Sequence, residues 1–445
     1  MKIKNIVLIV LLLTFVSSCN DFLEEPAPVD LISDDIVIED ETTAEQVILG
    51  MYNSYQGASL YGNLLIGATG LLSDELDHTG SFPTLAQMDD NEMISDNVNV
   101  QDIWAACYRG IYIANIFLER AGSVSMDAEK RTQLTGEARF GRAMFHFILV
   151  NLYGDVPLAT TSELATLRTI DRTPTSAIYA FIIAELETAI SELDGVDYGS
   201  AGRDNADRYR VNEWAAKALL ARALLYSGDV TEAGQVANDV IQNGGYSLAT
   251  NYASNFTTAG GSPEVIFQIY SENVDPNGLA FQFQTSGRYE YGPTTQLQDA
   301  YESGDSRAEM IELTDDGRAQ VVKYTDVGNG NDKPIAFRLA EMYLIRAEAN
   351  LGSAQADTDL NALRSRAGLN DPIVGATLDD VLAERFVELA FEGHRWFDLK
   401  RTGEVDGVML ALNPSTWDAT DVLMPIPIRE IRNNPTLAGK QNPGY

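Results

Sequence analysis

The sequence predicts a mostly α fold, with helix pairs forming a right-handed superhelical scaffold packed against a loop-rich subdomain with a few short strands. Three observations predict it. Apolar residues recur at three- and four-residue steps along most of the chain, the period of a helix with one buried face. Two stretches, 212–243 and 338–369, repeat one helix–turn–helix plan. Between the helical stretches lie segments rich in Gly, Asn, Asp, Thr and aromatic residues, the composition of loops, turns and short strands.

The elements follow in order. Residues 43–56 put Ala44, Val47, Ile48, Met51 and Tyr55 on one stripe, which predicts a first helix. Residues 101–120 predict a second. In 127–153, Leu134, Ala138, Met144, Phe145, Ile148 and Leu152 predict a third, stopped by Gly154 and Pro157. Thr173-Pro174-Thr175 opens the next, which runs to about Leu193. Asn212 can cap a helix over 213–227, Gly228-Asp229 turns the chain, and 231–243 returns before Gly244-Gly245. Ala215, Ala218, Ala221 and Ala233 let two helices approach closely. This is the plan of a tetratricopeptide unit, about 34 residues long. The second copy, 338–369, carries Tyr343, Ala347 and Ala349 in its first helix and turns at Leu351-Gly352-Ser353. The pairs at 101–153 and 174–226 fit the same plan. Such units cannot bury their apolar faces alone, so they stack into a curved array.

The beginning of the chain reads differently. Lys2 and Lys4 precede the apolar run Ile6–Val16, and Ser17-Ser18-Cys19 follows. A basic start, a short apolar segment and small residues before a cut describe a secretory signal. Cys at the cut looks like a bacterial lipoprotein signal, in which 1–18 is removed and the Cys19 thiol is acylated. The apolar run is too short for the roughly 20 residues that a membrane span takes. Residues 19–40 then form an acidic, Pro-bearing tether. Residues 41–445 form one domain, with helical scaffold over about 41–57, 101–245 and 336–445, and loop-rich, ligand-binding parts over about 58–100 and 246–335.

The formal charge is −34, from 65 acidic and 31 basic residues. That argues against nucleic-acid binding and against docking on anionic lipid, both of which need a basic face. A neutral or a cationic ligand remains compatible. Cys107 lies in an apolar helical run and reads as a small buried hydrophobe. His78, His146 and His394 lie far apart, in no metal-ligand or catalytic spacing. The chain has no Gly-x-Ser-x-Gly elbow, no phosphate loop and no His-Glu-x-x-His. It calls for no enzyme activity and no cofactor, and it leaves open whether a metal ion steadies the loops. Glu384, Glu388 and Glu392 lie four apart on one helical face. With Arg385, Arg395 and Arg401 they read as an ion-pair network between helices rather than a hydrolytic pair.

Loops on a rigid scaffold are where binding resides. Here Tyr61, Phe82, Trp104, Phe281, Phe283, Tyr289, Tyr291 and Tyr301 offer flat apolar faces, with Asp, Asn, Gln and Arg beside them. That mixture suits a sugar, whose C–H face stacks on a ring while its hydroxyls meet polar edges.

Four stretches together resemble the SusD/RagB family of outer-membrane nutrient-uptake lipoproteins. They are Gly136–Phe140 with Val150–Leu158, then Arg338–Ala349, then Glu384–Arg401, and last the tail from Pro425-Ile426-Pro427 through Asn433-Asn434-Pro435 to Gln441–Tyr445. The resemblance implies a lipid-anchored protein, exposed on the cell surface of the outer membrane, that caps a SusC-like TonB-dependent transporter and passes oligosaccharides, sometimes peptides, into it. It also implies that Asp74, in Leu71-Leu72-Ser73-Asp74-Glu75, and Trp104 lie near the ligand. The expected ligand contacts are therefore Asp74, Phe82, Trp104, Tyr289, Tyr291 and Tyr301. A peptide binder on the same scaffold, or a ligand-free scaffold for transporter assembly, are the alternatives.

Overall fold

A computed structural model describes residues 38–196, 208–256 and 261–445. The signal, Cys19 and nearly all of the expected tether lie outside the described residues.

The longer helices are α1 (Glu41–Gln56), α2 (Leu64–Leu71), α3 (Pro83–Asp89), α4 (Val98–Arg120), α5 (Ala128–Tyr153) and α6 (Thr175–Glu192), then α7 (Glu213–Ser227) and α8 (Val230–Asn243). After a long excursion come α9 (Leu339–Ala349), α10 (Ala354–Arg366), α11 (Leu378–Glu388), α12 (Arg395–Thr402) and α13 (Val405–Leu412). The starts are set by side-chain caps. Asp40 and Thr43 form a reciprocal capping box on α1, and Asn97, Asp127, Asn212 and Ser353 accept from the first free N–H groups of α4, α5, α7 and α10. Gly228 ends α7 at φ 96°, a left-handed conformation that fits Gly best, and the chain reverses into α8.

Consecutive helices pack on one another in the order α1, α4, α5, α6, α7, α8, α9, α10. The excursion between α8 and α9 does not interrupt that stack, because α9 packs directly against α8. The expected helix pairs are thus present, including both copies of the repeat. Ala215, Ala218, Ala221 and Ala233 are fully buried, and Cys107 is buried with a free thiol.

Among the described residues there are four two-stranded antiparallel sheets, three of them built from the loop-rich part and one, β2–β3, between α5 and α6. β1 (Leu76–His78) pairs with β5 (Tyr291–Pro293), and β2 (Val156–Pro157) pairs with β3 (Arg172–Thr173). β4 (Val265–Gln268) pairs with β8 (Ile335–Arg338), which closes the excursion at its base. β6 (Ile311–Leu313) pairs with β7 (Ala319–Val321). Residues 58–100 are more helical than expected, since they contain α2 and α3. All eight residues of α2 are buried, so the helix has no polar face and gives no amphipathic signal.

The carboxylates Glu384, Glu388 and Glu392 do anchor a buried ion network, but with other partners than Arg385, Arg395 and Arg401. Arg307 bonds Glu384 and, at 2.9 Å, Glu388. Arg338 donates to Glu388 at 2.6 Å, to Glu264 at 2.8 Å and to Glu392 at 2.9 Å. Arg366 bonds Glu264 and Glu388, and Lys323 pairs with Glu392 at 2.7 Å. Burial acts against the Glu388 charge, yet Arg366, Arg338 and Arg307 outweigh it and hold the carboxyl below its ordinary value. Arg385 and Arg401 instead bond Asp398, Arg401 also bonds Glu348, and Arg395 bonds Asp74.

Candidate functional site

Three loop-rich segments meet on one surface: β1 and the turn after it into α3, residues 279–293, and the β6–β7 hairpin. The β1–β5 ladder sets the register, placing His78 opposite Tyr291. Behind the surface, Glu290 is the tie point. Its buried carboxylate accepts from Arg288 at 2.6 Å, from His78 at 3.1 Å and from the backbone N–H of Ser81 at 3.0 Å. Burial acts to raise this carboxyl, but the hydrogen bonds from Arg288, His78, Ser81 and Phe82 hold it below the ordinary value. Gly80 is required by close approach, since a Cβ there would sit 1.9 Å from the Glu290 carboxylate.

In front of that tie lie the exposed groups. Phe82 is 37% exposed and carries the Arg288 guanidinium over its ring at 3.6 Å. Tyr289 is half-buried at φ 53°, in the left-handed region that bulky residues avoid. Its hydroxyl donates to the Ala319 carbonyl at 2.6 Å, its carbonyl accepts from Thr79, and Arg318 lies 5.3 Å over its ring. Phe281 is 45% exposed, and its carbonyl accepts from the Arg288 N–H at 2.7 Å. Asp77 faces solvent from β1. Beside it, burial pushes the Asp89 carboxyl up to about 7, and the charges of Asp77 and Asp90 add to that, against one hydrogen bond from the His78 N–H. Phe281 and the outer faces of the Arg–aromatic pairs offer flat surfaces, and Asp77, Arg288 and Arg318 offer polar edges. A pyranose needs both.

The expected contacts divide. Phe82 and Tyr289 come together here. Tyr291 is fully buried beneath them, edge-on to Phe283 at 5.5 Å, so it builds the floor and offers no open face. Asp74 is also buried. Both of its oxygens accept from Arg395, at 2.6 and 2.7 Å, which braces the chain ahead of β1 against α12. Trp104 is 3% exposed and packs edge-on to Tyr153 at 4.9 Å. It lines a different groove, about 180 Å³, with Tyr108, Pro157, Glu430 and Asn434. Tyr301 lies partly buried beside Arg307 and Glu388, at the ion network. In these four cases the aromatic or acidic character noted in the sequence is used for packing or pairing. Of the other aromatic residues, Tyr61 and Phe283 are buried as well. Asp77, His78, Arg288, Glu290 and Arg318 were not singled out as contacts from the sequence, because the β1–β5 and β6–β7 pairings alone bring them together.

Two family models match this chain. One, described as the SusD family, spans residues 282–445, and the other, described as starch-binding associating with outer membrane, spans 21–225. The chain belongs to the SusD/RagB family. SusD-like protein P2 of Formosa agariphila is 28% identical over 100% of both chains. The starch-binding protein SusD of Bacteroides thetaiotaomicron is 26% identical, over 74% of this chain and 76% of its own. A solved laminarin-binding SusD-like protein matches with a TM-score of 0.79 at 25% identity, covering 92% of this chain and 100% of its own. The helical stack with its loop-rich part is therefore the SusD-like fold.

Proposed function

We propose that this SusD-like chain is a non-enzymatic, cell-surface glycan-binding lipoprotein, held in the outer membrane by acylated Cys19. It captures oligosaccharides and hands them to a partner TonB-dependent transporter. One observation carries the reading: the exposed surface where Phe82, Phe281 and Tyr289 converge with Asp77, Arg288 and Arg318 on loops braced from behind. The printed names of its relatives, starch-binding and laminarin-binding, support the ligand class, and the family description supports the outer membrane. Among the described residues no helix is long and apolar enough to cross a membrane.

Calorimetric titration of the purified chain with starch, laminarin and other oligosaccharides tests the reading. Phe281→Ala should weaken the bound glycan about fivefold to tenfold while the protein keeps its melting temperature, and Tyr289→Ala should weaken it by a similar factor with a small loss of stability from the lost bond to the Ala319 carbonyl. Unchanged affinity in both variants discards this surface. Failure to bind any glycan discards the function, and release of shortened products discards the non-enzymatic reading. In cells, Cys19→Ala should abolish lipid labelling and release the protein from the envelope. A cationic peptide is the second reading, favoured by the charge of −34, and binding that collapses with added salt would identify it.

A further inference from the structure

We infer that this surface selects uncharged oligosaccharides and turns away glycans bearing uronate or sulfate; the inference rests on the glycan-binding reading above. The three segments that build the surface, 76–90, 279–293 and 311–321, hold two cationic residues, Arg288 and Arg318, against seven acids. Both arginines reach the surface, but each is already paired with an acid of the protein. Arg288 is held by Glu290 at 2.6 Å and lies flat on Phe82. Arg318 is held by both an Nε and a terminal nitrogen on Asp316, at 2.9 and 2.7 Å, and lies over Tyr289.

A carboxylate or sulfate on a sugar needs a guanidinium or ammonium free to receive it, preferably through two parallel bonds. Here the bidentate edge of Arg318 is already spent on Asp316, and the Nε of Arg288 is spent on Glu290. An anionic sugar must share a guanidinium whose charge a tethered carboxylate of the protein already offsets. The exposed acids Asp77, Glu312, Asp315 and Asp316 add repulsion. A neutral sugar meets none of these costs. Its hydroxyls can donate to those same carboxylates, and its C–H face can lie on Phe281 or on the outer face of the Arg288–Phe82 stack. The charge of −34 extends the selection outward, because it opposes the approach of a polyanion at low ionic strength.

The test is affinity electrophoresis and calorimetry of the whole mature chain on two panels. One is neutral (starch, laminarin, xylan, galactomannan) and the other anionic (alginate, polygalacturonate, carrageenan), each at low and high salt. The expected result is that a neutral glycan binds at least about tenfold tighter than every anionic one, with little dependence on salt. An anionic glycan that binds as well or better, and weakens with salt, overturns the inference and leaves the glycan-binding reading intact. Binding to neither panel overturns that reading, and the inference falls with it. Asp316→Asn provides a second arm. It frees Arg318 on an exposed hairpin and should raise the affinity for uronate oligosaccharides about threefold. No gain there means that Arg318 is not what the anion lacks, and the inference is wrong about its cause.

Discussion

Arg338→Met tests what the buried ion network does. The substitution keeps most of the side-chain volume and removes the charge. Arg338 is 1% exposed, and its guanidinium bonds Glu264, Glu388, both oxygens of Glu392 and the Glu388 carbonyl. The surrounding cluster has Arg307, Arg364, Arg366 and Lys323 as its other cations, against Asp305, Glu264, Glu384, Glu388 and Glu392. Loss of Arg338 leaves five buried carboxylates facing four cations, one of which, Arg364, is shared with the exposed Glu302. Breaking a buried pair by removing one partner costs about 3–5 kcal/mol, which for a chain this long lowers the melting temperature by about 3–6 °C. The pH dependence separates charge from packing. In the intact protein Glu388 and Glu392 have lowered pKa values, so their contribution is present above the ordinary carboxylate pKa and is lost as pH falls through the lower folded value. In Arg338→Met the stranded carboxylates rise instead, and protonation relieves them. Urea midpoints at pH 8 and pH 5 should therefore show a large deficit at pH 8 and a smaller one at pH 5. A deficit below about 1 kcal/mol at pH 8, or one equal at both pH values, would refute the electrostatic account.

Two further substitutions separate bracing from binding. Asp74→Asn weakens the two-point bond to Arg395 and should cost about 1–2 kcal/mol in urea denaturation while leaving glycan affinity unchanged; a tenfold affinity loss at full stability would return Asp74 to the ligand side. Gly80→Ala drives a methyl group into the Glu290 carboxylate, which four donors hold in place. It should cost about 1–3 kcal/mol and reduce glycan affinity through displacement of Phe82, and wild-type behaviour in both assays would show that the turn after β1 has room to give.

The scaffold helices were legible because each is buried on one side and capped at its start. The stripe over 43–56 became Glu41–Gln56, 101–120 became Val98–Arg120, and 127–153 became Ala128–Tyr153. Where burial is all-round the signal vanishes, as in α2, with its two glycines and no polar face. The charged face of α11 was legible only as far as the helix goes. It ends at Glu388, Phe391 turns back at φ 64°, and Glu392 reaches the network from the turn. The partners of these acids, such as Arg307 and Arg338, come from segments 50 to 81 positions away. No local pattern announces them.

The same division decides what kinship can say about the ligand. The stretches that carry the family resemblance map onto the interior: α5 and its exit, α9, the ion-paired α11–α12 corner, and the tail, where Asn442 bonds the carbonyls of Tyr153 and Met424. Those residues fix the stack and the brace behind the loops. None of them lies in 76–90, 279–293 or 311–321, where the exposed rings and charges gather. His78 and Glu290 stand 212 positions apart and meet only because β1 pairs with β5. A chain can therefore keep every family motif while its loops change ring, charge and reach. The ligand has to be read from Phe82, Phe281, Tyr289 and the two tethered arginines, and there the balance of charge points to a neutral sugar.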